Sequence, residues 1–199
     1  MNLPRSTEIV DLHDRILAQA DWSTTGDMPQ AGDVWSCIAR NHRCNCRLWV
    51  EEDQARRRDV PDAAIAANKR AIDGYNQQRN DAIEKIDESL LALLPTLEGG
   101  SGARLNSETA GAMVDRLSIL ALKIVHMRIQ TARGDADEAH RETSRARLAR
   151  LSEQRTDLAG CFDALLADFL AGRARFKIYR QFKMYNDSAF NPYLYGAKR

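Results

Sequence analysis

The sequence predicts an all-α protein: an up-and-down bundle of about five helices with a structured C-terminal segment rich in aromatic and basic residues. Alanine and leucine, which favour helices, occur 28 and 20 times, whereas the β-branched valine occurs six times. Apolar residues recur at the spacing of amphipathic helices, and we find no alternating strand pattern. The 199 residues are expected to form a single helical domain over residues 1–199.

Prolines, glycines and polar stretches divide the chain into these helices. The first helix is expected just after Pro4, and a loop follows it over residues 21–32. A glycine-rich stretch predicts a flexible connector over residues 98–104. The later helices are predicted over approximately residues 34–58, 61–94, 107–133 and from there to residue 172.

The fifth predicted helix carries a continuous apolar face with one polar residue, Arg155, on it. A face of this kind requires a long antiparallel partner helix, as in a helical bundle. The apolar residues are Leu148, Leu151, Leu158, Phe162, Leu165 and Phe169.

Charge and composition exclude several classes of protein. The chain has 29 basic and 28 acidic residues and a net charge of +1, too little for nucleic-acid binding through bulk charge. Its apolar stretches are too short to span a bilayer. The acidic residues Glu8, Asp11 and Asp14 argue against a secretory signal, and four cysteines do not form a disulfide scaffold. We therefore expect a soluble cytoplasmic protein.

Three helices carry polar residues where a bundle normally has apolar ones. Together these residues could line one polar channel. A solvent-exposed face, or buried pairs that fix helix register, would give the same pattern. The polar positions are Asn41, Asn45, Glu52 and Arg56 in the second helix; Lys69, Asp73, Asn76, Asn80, Glu84 and Asp87 in the third; and Glu108, Asp115, Arg116, Lys123 and His126 in the fourth.

The C-terminal segment alternates aromatic and basic residues. One interpretation is that the rings join the core while the cations pair with acidic residues of the third helix. An anion site is the second, and stacking on single-stranded nucleic acid is a distant third. The rings are Phe176, Tyr179, Phe182 and Tyr185, and the cations are Arg173, Lys177, Arg180 and Lys183.

His42, Cys44 and Cys46 have a spacing that suggests a metal site at first sight. On a helix, however, Cys44 points away from the other two, and no second cysteine pair completes a zinc site. The sequence therefore predicts neither a metal nor a cofactor.

Several segments together resemble a family of bacterial proteins grouped as a domain of unknown function. Genes of that family often lie beside glycosyltransferase genes for cell-envelope polysaccharide or lipopolysaccharide synthesis. The resemblance extends from about Asn41 to Tyr195, and implies an all-helical fold and a role in envelope glycan assembly. The family often has histidine where this chain has Val50, so a mechanism based on that histidine is not expected here. The segments are LWVEEDQAR (48–56), KRAIDGYNQQRND (69–81), SETAG (107–111), DRLSIL (115–120), KIVHM (123–127), and FKMYND (182–187) with Asn191-Pro192.

Two functions are compatible with these observations. The first is an accessory protein that binds an envelope glycosyltransferase through the segment Phe176–Tyr185, and a homodimer is compatible with it. The second is a small enzyme that acts on a sugar phosphate or nucleotide sugar, with Asp115 and His126 as acid–base candidates. Candidate ligand contacts are Arg56, Arg70, Arg180 and Lys183 for phosphate; Asp73, Asn76 and Asn80 for sugar hydroxyls; and Asn45, Glu52 and Asn186 as further binding residues.

Overall fold

The computed structural model describes residues 3–19, 21–22, 32–95, 102–182, 184 and 187–196. These residues form six helices and one pair of two-residue strands, which confirms the all-α prediction. The elements are α1 (Ser6–Leu17), α2 (Val34–Gln54), α3 (Asp62–Leu93), β1 (Arg104–Leu105), α4 (Ala110–Thr131), α5 (Glu138–Leu170), β2 (Ala174–Arg175) and α6 (Pro192–Tyr195).

Side-chain caps fix where three of the long helices begin. Asp33, Thr109 and Asp137 each accept a hydrogen bond from a backbone N–H in the first turn of α2, α4 and α5. The cap at Thr109 explains why α4 begins at Ala110, later than the sequence pattern predicts. At its other end α2 stops at Gln54, four residues before the predicted end, because residues 56–59 are exposed and gain no packing from helix formation.

Helix α4 occupies the centre of the bundle. It packs against α5 in one helical hairpin and also contacts α1, α2 and α3, while α2 and α3 form a second hairpin. This position explains why α4 is apolar over most of its surface: Val114, Leu117 and Ile124 are completely buried. On α5, Leu158 and Phe162 are buried as predicted, and Arg155 pairs with Asp14 of α1 at 2.8 Å.

The C-terminal segment leaves α5 through β2, which pairs in parallel with β1. Residues 176–182 then continue without helical structure. Phe176 is buried against Phe169, with ring centroids 5.5 Å apart, while Arg180 binds Glu84 and Glu88 on α3. Residues 98–101 of the predicted connector lie outside the described residues, and its last residue, Arg104, begins β1.

Candidate functional site

A buried polar cluster lies where α2 and α4 cross. Asp115 on α4 accepts hydrogen bonds at Oδ1 from the side-chain amides of Asn41 and Asn45 on α2, each at 2.9 Å. All three residues are buried. The two asparagines are four residues apart, so α2 presents both amides on one face. We name this group, together with His42, Arg79 and Ser118, the Asp115 cluster.

The cluster continues to a buried histidine. Asn45 donates to Ser118 Oγ at 3.0 Å, and Ser118 Oγ lies 2.7 Å from His42 Nδ1. Because Asn45 is the donor to this oxygen, the serine proton is free to point at the unprotonated Nδ1 of a neutral imidazole. Burial lowers the pKa of His42 to about 3, so the ring is neutral at pH 7.

His13 of α1 stacks on His42, with ring centroids 4.4 Å apart and an interplanar angle of 24°. Both rings are completely buried. Burial, reinforced by the charges of His42 and Arg155, holds the pKa of His13 well below its usual range. Neither ring nitrogen of His13 has a hydrogen-bond partner among the described residues. The pair therefore packs as two neutral rings.

Helix α3 adds the positive charge that the cluster needs. Arg79 Nε lies 3.7 Å from Asp115 Oδ1, with the arginine side chain largely covered. Its neighbour Asn80 is buried, and Asn76 is half-buried on the same helix. A buried carboxylate is tolerated when charged and hydrogen-bonding groups surround it, and Asp115 has both. The cluster thus ties α2, α3 and α4 together.

A second buried carboxylate joins α3 to the start of α4. Asp87 Oδ1 accepts from the backbone N–H of Gly111 at 2.7 Å, at the positive end of the α4 dipole. Burial raises the pKa of Asp87 to about 6. A Cβ atom on Gly111 would lie 2.5 Å from the carbonyl oxygen of Ile83, so only glycine permits this close approach of the two helices.

His126 lies near the other end of α4. Its ring stacks on Trp49 of α2, with centroids 4.3 Å apart, and meets the edge of Trp22 at 5.8 Å. Burial lowers the pKa of His126. His126 follows Asp115 by eleven positions, which correspond to roughly 16 Å along the helix axis. The structure therefore does not bring these two acid–base candidates together.

A cleft of about 520 Å³ opens beside His126, between the ends of α2, α4 and α5. Apolar and aromatic groups form its floor, and basic and amide side chains surround them. We name it the Trp49 cleft. Its lining residues are Trp49, Lys123, His126, Met127, Gln130, Arg147, Arg150, Leu151 and Gln154.

A family model that describes proteins of unknown function, DUF4254, matches residues 35–178, more than half of the chain. The chain belongs to the DUF4254 family. None of the curated proteins and none of the solved structures matches the chain significantly.

The DUF4254 match places both candidate regions within the family segment. Its residues 35–178 extend from α2 to β2, and therefore include the whole Asp115 cluster and the whole Trp49 cleft. They exclude α1 with His13 and everything after Ile178.

The remaining predicted binding residues are dispersed over the surface. Lys69 pairs with Asp73 on α3, and Glu52 pairs with Arg56 at the end of α2, with all four side chains well exposed. Arg70 is exposed as well. Lys183 and Asn186 lie outside the described residues.

Other charged residues of the predicted stripes also form pairs at the surface. Arg116 pairs with Glu108 at 2.7 Å, and Arg180 pairs with Glu84 and Glu88 on the outside of α3. Of the predicted binding residues, Asn45 thus contacts the acid–base candidate Asp115, whereas Arg180 binds the outside of α3.

Sequence reasoning missed several residues of the Asp115 cluster and its surroundings. His13 and Ser118 each lie four residues after a buried apolar residue, Ile9 and Val114, so helical periodicity alone could have placed them inside. Arg79 carries no such signal, because it lies beside the polar stripe of α3. Arg147 and Arg150 belong to a helix rich in surface charge and do not stand out.

The cysteines on α2 are buried. Burial raises the pKa of the Cys44 and Cys46 thiols to about 12, so both are protonated at pH 7 and are poor metal ligands. Over the described ranges, no three His, Cys, Asp or Glu side chains are grouped so that they could hold a metal ion. Likewise, none of the helices described is long and apolar enough to cross a bilayer.

Proposed function

We propose that this DUF4254 protein is a non-catalytic accessory protein that binds a glycosyltransferase of cell-envelope glycan assembly. The observation that carries the proposal is a group of exposed large apolar side chains near the C-terminus. Phe182 and Tyr193 are 84% and 88% exposed. Apolar groups concentrated in this way on a surface are typical of protein-binding sites. The group, named the C-terminal apolar surface, comprises Tyr179, Phe182, Met184, Phe190, Tyr193 and Leu194.

Contacts on both sides of Tyr179 hold this surface against the bundle. Phe176 is buried in the core, and Arg180 binds Glu84 and Glu88 on α3. The backbone N–H of Gln181 also donates to Glu84 Oε1 at 3.0 Å. A segment that is already ordered loses less conformational entropy when a partner binds, which favours affinity. These contacts support a docking surface rather than a loose tail.

The identity of the partner rests on the sequence resemblance. The family it resembles has genes beside glycosyltransferase genes, and an accessory protein of such an enzyme needs a binding face rather than a catalytic centre. The separation of Asp115 from His126 along α4 supports the same choice. The partner is expected to present a complementary apolar face, because burial of Phe182 and Tyr193 would otherwise stabilise the complex little.

Co-purification tests this function. The tagged chain is expressed with the glycosyltransferase encoded beside it, either as wild type or as the double variant Phe182→Ser and Tyr193→Ser. We expect the wild type to retain the transferase and the double variant to lose it. The matched control is Ile129→Ser with Leu170→Ser, which removes two exposed apolar side chains elsewhere on the surface. Loss of binding in the control as well, or none in the wild type, would contradict the proposal.

A further inference from the structure

The Trp49 cleft contains basic side chains that are not neutralised by the protein. Lys123 on α4 and Arg147 on α5 have no ion-pair partner within the described part of the chain, whereas nearby Arg145 binds Glu138 and Glu142. Arg150, the third cation, is paired with Glu153 at 2.9 Å. Two positive charges at one cleft therefore remain available for an anion.

The floor of the same cleft is apolar and aromatic. Trp49 and His126 stack on each other, and Met127 and Leu151 lie beside them. Trp49 Nε1 and His126 Nε2 are buried without a hydrogen-bond partner among the residues that the structure describes. Indole and imidazole rings pack well against flat rings, and buried polar atoms of this kind are normally paired. Both nitrogens are covered by the protein, so what the floor offers a ligand is an apolar and aromatic surface, which suits a flat ring.

The negative groups near the cleft do not cancel its charge. Glu153 is occupied by Arg150, and Asp53 acts on His126, whose pKa it raises against the larger effect of burial. Glu108 and Asp157 line a neighbouring cavity with Lys123, and Glu108 is occupied by Arg116. None of these four acids forms an ion pair with Lys123 or Arg147 among the described residues. The available positive charge therefore lies beside the apolar floor, and a ligand can contact both at once.

We infer that the Trp49 cleft binds a nucleoside diphosphate, with the base on the apolar floor and the diphosphate at Lys123 and Arg147. A free phosphate would use only the cations, and a neutral ring would use only the floor. The cleft volume of about 520 Å³ lies in the range of small-molecule sites, which is roughly 300–1,000 Å³. The site is separate from the C-terminal apolar surface, so this inference does not depend on a protein partner. It would also serve a small enzyme that acts on a nucleotide sugar.

Calorimetric titration of the 199-residue chain tests the ligand class. The probes are UDP, CDP, ADP and GDP, the matching nucleosides, inorganic pyrophosphate and decyl phosphate. We expect at least one nucleoside diphosphate to bind about tenfold or more tightly than its nucleoside and than pyrophosphate, since each half of the ligand contributes contacts. No binding of the four diphosphates at millimolar concentration would overturn the inference. The inference would also be overturned if pyrophosphate or decyl phosphate bound as tightly as the nucleoside diphosphates, because either result assigns no role to the base.

Substitutions then test the location. Lys123→Ala and Arg147→Ala should each weaken binding about tenfold, since each removes one charge-assisted contact. The matched controls Arg128→Ala on α4 and Arg145→Ala on α5 remove exposed cations that do not line the cleft and should change affinity less than twofold. Thermal unfolding checks that each variant is folded. Unchanged affinity in a folded Lys123→Ala/Arg147→Ala double variant would show that the ligand binds elsewhere.

Discussion

The Asp115 cluster and the Trp49 cleft both contain charged side chains but differ in whether those charges have an ion-pair partner in the protein. In the cluster, Asp115 accepts from two asparagine amides and faces Arg79, and every helix involved is held to another. In the cleft, Lys123 and Arg147 have no such partner in the ranges described. Buried polar groups that satisfy one another position helices, whereas unpaired groups at a cleft are available to a ligand.

Removing the central carboxylate should have the largest effect on stability. Asp115→Ala leaves the amide of Asn41 without its acceptor, removes one of the two close acceptors of Asn45, and leaves Arg79 without its counter-charge. We expect the free energy of unfolding to fall by about 3 kcal/mol. Urea denaturation measures it. Asp73→Ala, which breaks an exposed pair with Lys69, is the control and should cost at most about 0.5 kcal/mol. Equal losses in the two variants would contradict a structural role for Asp115.

The second-largest effect on the free energy of unfolding is expected where α3 and α4 cross beside Asp87. Gly111→Ala places a methyl group against the carbonyl oxygen of Ile83, a backbone atom that cannot rotate away. We expect a loss of about 2 kcal/mol in the free energy of unfolding. The control is Gly160→Ala on α5, where a Cβ meets nothing within 4 Å. That variant should gain about 0.5–1 kcal/mol from helix propensity. An unchanged free energy of unfolding in Gly111→Ala would contradict this expectation, because it would show that α3 and α4 can move apart to accommodate the methyl group.

The stacked histidines predict a smaller effect that depends on pH. His13 and His42 have lowered pKa values when folded and near 6.5 when unfolded, so acid protonates only the unfolded chain. For His42, whose folded pKa is about 3, the free energy of unfolding falls by about 1.4 kcal/mol per pH unit between pH 6.5 and pH 3, and His13 acts in the same direction. Asp87, with its pKa raised to about 6, acts in the opposite direction between pH 3.8 and 6. Between pH 6 and pH 4 the contributions of His42 and Asp87 cancel approximately, so the net loss of stability on acidification comes from His13.

The variant His13→Phe separates these contributions. It keeps a flat ring against His42 but cannot be protonated, so the loss of stability between pH 6 and pH 4 should become close to zero. Replacing the exposed His140 with Phe is the control and should leave the pH dependence as in the wild type. Urea denaturation at pH 4.5, 5.5 and 7 provides the comparison. An unchanged slope in His13→Phe would mean that His13 is protonated in the folded state.

Much of the cluster could be predicted from sequence because helical periodicity reports which face is buried. Asn41, Asn45 and Asp115 were identified in this way, and all three are buried. Helical periodicity gives the face of the helix on which a residue lies, but not how far along the helix axis it lies. Asp115 and His126 share a sector of α4 but lie about three turns apart, so only one of them joins the cluster.

Local pattern could not give the extended course of the C-terminal segment, although it did suggest a ring in the core and a cation paired with α3, as Phe176 and Arg180 show. Its extended course after β2 depends on contacts with residues far away in the sequence, including the packing of Phe176 on Phe169 and the binding of Arg180 by two glutamates of α3. The strands β1 and β2 are two residues long, too short for an alternating pattern to predict. In each case the deciding interaction is tertiary.

The most direct test measures both the free energy of unfolding and nucleotide affinity in two variants, Asp115→Asn and Lys123→Ala/Arg147→Ala. We predict that Asp115→Asn lowers stability by about 1 kcal/mol or more, through weaker pairing with Arg79, and changes affinity less than twofold. The double variant should lose about 100-fold in affinity and stay within about 0.5 kcal/mol of the wild type in stability. Loss of affinity in Asp115→Asn without loss of stability would contradict the account, because the ligand would then depend on the buried cluster.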